Sequence, residues 1–595
     1  MNGNTGQSVP FGAGGLDRRH ILELVSGINS RSKGADESLL LLMRAYLTVD
    51  LPEELKQTIR RAILRFRFNF YAQGKDQLSN WTENRHITFR VAQYLAAQTF
   101  KEDEFIGSRT GAQIQLDAAT QIQVWFSDRF RFGFSEWLSP APMARCVAAL
   151  TMLIEHAENR SLQVRATMIL DLLLLDAALF SFEGNLASAC ARASTEDIFE
   201  PLGSPIADVL ASAFGGDVAA DPKKLSSIFL TRSRYQVPEV IKYLGSRDEQ
   251  RRGKISQGLD IREVPRELEK HPDYPREGAL DFARFWWGMQ AIASSHSIKD
   301  SMLLARGVNA RGNRILRPLK AFTWLPRFVV ASVQKLINPF VAGRAIQRSN
   351  VNMFATDDYQ LSSIQRYHPG EFGGEQHLWH ARLRGGINVF GNHPAARVNG
   401  RKNVNPWVDN GINPDIVQHG NVLLALQDLR CRHGFLEGKR KEYTHFHFPF
   451  VEFDQAKIGQ HWVAGRKGNA FIGIIGSHNF EQISDEEFIQ RGLLTGYAVV
   501  LADEEEFGSI GAFISHLRSC RLTLNDRSMH LVTPFSSYTL KWRGKFTFDG
   551  HEIGSDYDRY IFDAVATERK PRRIEVAAGG HKLVLDWPRC VRKNT

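Results

Sequence analysis

Glu83 and Glu136 lie in the strings NWTENRH (80–86) and RFGFSEWLS (131–139), each close to a tryptophan, Trp81 and Trp137. Two carboxyl groups can act as acid and base across one bond when their surroundings push their pKa values apart. Each also has a structural role open to it. Glu83 would suit the first turn of a helix, where the dipole favours a carboxylate, and Glu136 would pair with Arg129 or Arg131. Asp128 and Asp171 are weaker candidates for the same chemistry. Further along, His445 and His447 fall on one face of any strand that holds them, because side chains alternate with period two. Asp454 and His461 follow them. Imidazole and carboxylate ligands suit zinc or another divalent metal, although Phe446, Phe448 and Phe450 also fit an ordinary half-buried strand.

The elements that must position these groups divide the chain by period. Leu55, Ile59, Ala62, Ile63 and Phe66 recur at helical spacing opposite Arg60, Arg61, Arg65 and Arg67, which predicts an amphipathic helix over 53–68. Similar patterns occupy 87–98, 112–126, 143–156, 162–182, 206–214, 280–293 and 322–336. Such a series suggests a double-layered ring or solenoid of helices. Beyond about residue 375, the stretches 421–426, 471–475, 497–501, 531–534 and 538–546 are short, rich in β-branched and aromatic residues, and bounded by Gly, Asp and Asn. The expected architecture is α+β and multidomain: a flexible segment at 1–15, a helical domain over 16–360 and an antiparallel β-sandwich over 375–595.

Composition narrows the classes. Of 595 residues, 43% are hydrophobic and 24% charged, which excludes a disordered or collagen-like chain. The five cysteines are dispersed and include no C-x-x-C, so neither a zinc knuckle nor a disulfide framework is indicated. Lys and Arg exceed Asp and Glu by ten without gathering into a tail or a nucleic-acid motif, so no nucleic-acid partner is expected. No apolar run is long enough to cross a membrane, and no secretory leader is visible at the start. Residence in the cytoplasm is the default expectation, with leaderless or trimmed export as the exception.

Read in order, several strings resemble the heparinase-II/III-like group of polysaccharide lyases: NWTENRH, RFGFSEWLS, YHPGEFGGEQHLW (367–379), VFGNHP (389–394), THFHFP (444–449) and GRKG (465–468). The resemblance spans roughly residues 75 to 560, and order and spacing carry it rather than any single string. It implies an (α/α) toroid joined to a β-sandwich, acting by β-elimination on a uronate-containing polysaccharide or oligosaccharide. That reaction needs a group to neutralise the C5 carboxylate, a base for the adjacent proton and an acid for the leaving oxygen. Asn84 would match the neutralising asparagine, and it would equally serve as cap of a helix starting near Arg85. His377, His380 and His393 would complete the binding site where the sandwich faces the toroid. Trp81, Trp137 and Trp379 would offer sugar-stacking platforms, while most of the remaining tryptophans, among them Trp125, Trp286, Trp287 and Trp407, would belong to the core.

The chain departs from the family pattern twice. There the asparagine is followed directly by histidine, whereas here Arg85 intervenes before His86, a rotation of about 100° on a helix. Either Arg85 becomes the carboxylate clamp, which its fork suits, or His86 reaches the site through a register adjustment. After FGFSEWLS the family carries a tyrosine pair; here Pro142 and Met143 stand instead, so the acid would have to come from Tyr359, Tyr367 or Tyr94. These departures leave two alternatives beside elimination: hydrolysis by Glu83 and Glu136, or glycan binding without turnover. If the net positive charge matters, Arg and His from both halves should converge between them.

Overall fold

The computed structural model describes residues 16–68, 82–260, 346–368, 372–395, 405–408, 411–433 and 437–595, with Val9–Pro10 and a few single positions between 263 and 333. Helices fill the first stretch: α1 (Arg18–Asn29), α2 (Ala35–Thr48), α3 (Glu53–Leu64), α4 (Glu83–Thr99), α5 (Gly111–Phe132), α6 (Pro140–His156) and α7 (Arg160–Phe180). α4 packs on α5, α6 and α2, and α6 packs on α7. The sequence explains the centre of this layer. α4 and α7 bury side chains around most of their circumference, as helices sheltered by others must. Starts are set by local caps: Asn159 accepts from the Leu162 N–H at 3.1 Å, and Thr110 with Gln113 closes a capping box on α5. The helices expected over 280–293 and 322–336 fall mostly outside the described residues. A closed toroid is therefore not established; a layered helical assembly is.

The β half contains a ten-stranded antiparallel sheet. Its centre runs in the order β8 (Tyr443–His447), β5 (Ile387–Asn392), β4 (Trp379–Leu383), β3 (Tyr359–Ile364), β2 (Ser349–Ala355) and β1 (Arg251–Gln257). Beyond β1 come Tyr560–Phe562 and Val565–Thr567. A six-stranded sheet begins at its edge with β6 (Asp415–His419), then β7 (Val422–Asp428) and Leu494–Asp503. Leu361, Trp379 and Val389 of the wide sheet share one apolar cluster with Leu423, Tyr497 and Val499 of the narrow one, so the two form a sandwich. The outer face of the narrow sheet is covered by the helix Ile510–Ser519 and by a five-stranded sheet, around Phe471, Phe513, Leu531 and Leu540.

The expected boundary between 360 and 375 needs correction. β1, β2 and β3 already belong to the wide sheet, and β1 precedes the boundary by more than a hundred residues. The reason is legible afterwards. β1 reads RRGKISQ, too polar to look like a strand, because one of its faces binds polar groups of the helices.

Candidate functional site

Alternation turns one face of the wide sheet toward the helices, and that face is polar. Gln360 Nε2 donates to the carbonyls of Phe180 and Ala187, both at 3.1 Å. Ser362 Oγ accepts from the Ala189 N–H at 2.9 Å, and Asn388 Nδ2 donates to the Phe199 carbonyl at 3.1 Å. Gln257 donates to Asp176 at 2.7 Å and accepts from the Phe134 N–H at 2.8 Å. Buried polar groups are tolerable only when paired in this way.

On the helical side the site begins at the start of α4. Thr82 is the N-cap and Glu83 opens the helix, so Asn84 lies inside the first turn and does not cap it. Glu83 is 1% exposed. Its carboxylate accepts from the Ser135 N–H at 2.6 Å and pairs with Arg129, while its carbonyl accepts from the Trp125 indole at 3.1 Å. Burial pushes its pKa up to about 7; Arg129 opposes the rise and Glu136 adds to it. Asn84 faces Glu136, which accepts from its backbone N–H at 2.9 Å and from its side-chain amide. Arg85 turns away toward the buried Asp36, 3.9 Å distant, and His86, one step further round, is half-buried.

Glu136, 2% exposed, takes neither of its expected partners. Arg129 belongs to Glu83, and Arg131 reaches Glu267 at 3.1 Å. Glu136 instead accepts from Arg192 at 3.2 Å, and Arg192 Nε donates to Glu375 at 2.7 Å. The segment carrying Arg192 pairs with the chain leading into β4: Cys190 and His377 exchange two backbone bonds of 2.9 Å, and the Ala193 N–H donates to the Glu375 carbonyl at 2.8 Å. A polar chain from Asn84 through Glu136 and Arg192 to Glu375 thus crosses from the helices to the β half and ends two residues from His377.

His377 is oriented by a relay. Its Nε2 lies 2.9 Å from His380 Nδ1, and His380 Nε2 lies 3.0 Å from Asn388 Oδ1. Because the Asn388 amide nitrogen donates to Phe199 and its oxygen also accepts from Arg382 at 3.1 Å, that oxygen can only accept. His380 therefore carries its proton on Nε2, and His377 donates from its own Nε2, leaving Nδ1 as a lone pair. Burial pushes His380 down to about 3, with Arg382 and His447 adding to the shift. Burial and the neighbouring His380 hold His377 well below the usual imidazole range. Both rings are neutral at neutral pH. His377, Gln376, Asn392, His393 and Trp407 line a small pocket of about 10 Å³, room for one water-sized group.

Around this relay, rings pack closely. Phe390 lies 5.7 Å from His380, 4.9 Å from His447, 5.3 Å from Trp407 and 5.2 Å from Phe199. Trp407 stacks on His445 at 4.0 Å. His445 and His447 do share a strand face, as their spacing predicts, but His445 Nε2 is held by Glu487 at 3.1 Å. Asp454 pairs at the surface with Lys467 at 3.2 Å and with the Gly468 N–H at 2.8 Å, and His461 lies in an exposed turn. The four expected metal ligands therefore do not converge. Among the described residues no group of three or more His, Cys, Asp or Glu has the arrangement to hold a metal ion.

Other expected residues are distributed as follows. His393 has both ring nitrogens engaged by backbone, donating to the Lys441 carbonyl at 2.7 Å and accepting from the Ile412 N–H at 2.9 Å. Trp379 is fully buried between the sheets, its indole donating to the Tyr497 hydroxyl at 2.9 Å, so it is core rather than a sugar platform. Trp137 is fully buried too, with the ring of Tyr367 edge-on at 5.9 Å. Tyr359 lies near Phe354 inside the sandwich, and Tyr94 is buried in α4. Of the three tyrosines only Tyr367 joins the Trp137 side of the site, and its hydroxyl accepts from the Gln347 N–H at 3.2 Å. Asp171 is committed to Arg592 at 2.6 Å and to the Tyr235 hydroxyl at 3.0 Å; Asp128 is buried. Trp81, Trp286 and Trp287 lie outside the described residues. Sequence reasoning missed Arg192, Glu375 and Asn388; Arg192 is the one charged residue in the run ASACARAS (187–194), a signal visible only once its neighbours are known.

No helix among the described residues is long and apolar enough to cross a membrane. No family model matches the chain, and no curated protein matches it. Among solved structures the chain is similar to heparinase III, with 9% identity, a TM-score of 0.25 and coverage of 85% of this chain and 82% of that one. It is also similar to heparan sulfate lyase HepC from Pedobacter heparinus, with 8% identity, a TM-score of 0.20 and coverage of 93% and 82%. At TM-scores this low the likeness establishes neither the fold nor an activity.

Proposed function

We propose that the protein cleaves an acidic, uronate-containing glycan by β-elimination where the helices meet the wide sheet. The observation that carries this reading is that a partly exposed arginine, held by Glu136 and Glu375, and an oriented neutral imidazole lie on two segments that pair by backbone bonds. Arg192 is 34% exposed along its side chain and lies two positions along the paired segment from the Cys190–His377 bridge. An arginine fork suits a uronate carboxylate, and neutralising that carboxylate acidifies the C5 proton. A neutral imidazole is the form that accepts a proton, and a bound carboxylate would raise its basicity. Glu136 and Glu375 hold Arg192 in place, Asn84 in turn holds Glu136, and of Tyr94, Tyr359 and Tyr367 we assign the leaving oxygen to Tyr367, which packs on Trp137.

Incubation with a panel of uronate polysaccharides tests the reaction class. Elimination yields an ultraviolet-absorbing unsaturated uronate, with fragments whose summed mass equals that of the substrate. Fragments heavier by one water and lacking that absorbance would instead assign hydrolysis. Binding without fragments would assign glycan recognition alone.

A further inference from the structure

The wide sheet overhangs the narrow one. β6, the edge of the narrow sheet, lies over β2 and β3, where Asn352 Nδ2 donates to the Gln418 carbonyl at 2.9 Å. β1 and the strand Tyr560–Phe562 extend past that edge. The step leaves a groove of about 420 Å³ bordered by Arg252, Lys254, Phe354, His419, Ile561 and Asp563, a size typical of small-molecule sites. Strand alternation places it on the side away from the helices. Arg251 and Gln257 bond to the helical half, so Arg252 and Lys254, on the other parity, face the groove.

Its charges are unusual for a protein surface. Neither Arg252 nor Lys254 forms an ion pair with a carboxylate among the described residues; burial and the neighbouring Arg252 lower the Lys254 ammonium, and burial with both cations lowers His419. Lys254 is half-buried, its ammonium 5.0 Å from the Tyr557 ring. The His419 ring stacks on Phe548 at 4.2 Å. Phe354 and the exposed Ile561 supply an apolar floor, the exposed Asp563 lies on the rim, and Asp549 acts on His419 from beside Phe548. A partly desolvated cation with no anionic partner favours an anionic ligand, and cations beside an apolar floor match the two faces of a charged sugar ring.

We propose that this ledge is a second binding site, which takes the carboxylate- or sulfate-bearing ring of an acidic saccharide independently of the junction with the helices. Arg252 and Lys254 would hold the anion, His419 would meet a hydroxyl, and Phe354 and Ile561 would lie under the ring. Titration calorimetry with a uronate-containing tetrasaccharide, its carboxyl-reduced neutral counterpart and inorganic sulfate tests it. The tetrasaccharide should bind, and R252Q/K254Q should weaken this site by about tenfold or more. K254R should retain it, as should R192Q, which disturbs only the junction. Equal affinity of the double variant, equal binding of the neutral counterpart, or binding of sulfate alone would each overturn the proposal. Because R252Q/K254Q leaves the junction intact and R192Q leaves the ledge intact, failure of this proposal is separable from failure of the elimination reading.

Discussion

Glu83 and Glu136 are equally buried yet differently held, and the difference sets what each can do. Glu83 faces one guanidinium and one backbone N–H, and burial dominates, taking its pKa to about 7. Its folded pKa exceeds the ordinary 4.5, so its contribution to stability is full below pH 4.5 and is lost as pH rises through 7. The size of that loss is on the order of 3 kcal/mol. Denaturant unfolding of the wild type and of Glu83→Gln across that window should show the slope in the former and its absence in the latter. Glu136 gathers Asn84 and Arg192 instead. Glu136→Ala would strand buried donors on both halves, and a loss of about 3 kcal/mol is expected in the same assay. Little of this was readable beforehand. The pairing of Glu136 with an arginine was legible in kind, but its partner comes from residue 192, and nothing local to the RFGFSEWLS string announces it.

At the level of elements, period alone located α3 to α7 and a few of the strands, but did not single out α1, α2 or most strands of the two sheets. The patterns at 87–98, 143–156 and 162–182 fall within or nearly within α4, α6 and α7, and the stretches 421–426 and 471–475 lie on strands. What period could not reveal is a polar sheet face buried against helices, because alternation read as apolar-in and polar-out assigns that face to water. β1 was missed for this reason, and the histidines of β4 and β8 gained roles that spacing did not suggest. That packing carries a pH signature. Burial lowers His380 to about 3, and His393 and His447 to about 4. Their folded pKa values lie below the ordinary 6.5, so stability present above pH 6.5 is lost as pH falls toward 4. Near-ultraviolet circular dichroism should record loss of the aromatic packing around Phe390 in that range, opposite in sign to the Glu83 effect. A second element-scale expectation concerns Gly133, which ends α5 with φ +76°. An added Cβ there would run into the side chains of Gln257 and Arg559. Gly133→Ala combines backbone strain with loss of the Gln257 contacts and should cost about 2 kcal/mol or more.

Across the whole molecule, the two halves are tied at more than one place. The chain enters the wide sheet at β1 and later sends its last three strands, Arg573–Ala578, His581–Asp586 and Val591–Asn594, back onto α7 and the helix Glu239–Ser246. Arg592 meets the buried Asp171, and Trp587 stacks on Phe130 at 4.9 Å. Arg592→Ala would leave a buried carboxylate with only the Tyr235 hydroxyl, at a cost of about 3 kcal/mol. Because these ties join both halves, calorimetry should show one unfolding transition, shifted down as a unit by that substitution. Arg192, Arg251 and Arg382 lie where helices and sheet meet, but Arg192 is paired with Glu136 and Glu375 and Arg382 with Glu183, so what gathers there is a network of compensated charges rather than an excess of positive ones. Hydrogen exchange with and without a saturating uronate-containing oligosaccharide tests the central claim most directly. Slowed exchange over 188–193 and 375–380 is the predicted result, abolished in R192Q. Unchanged exchange in both segments, with the ligand bound, would contradict the placement of the site at this junction.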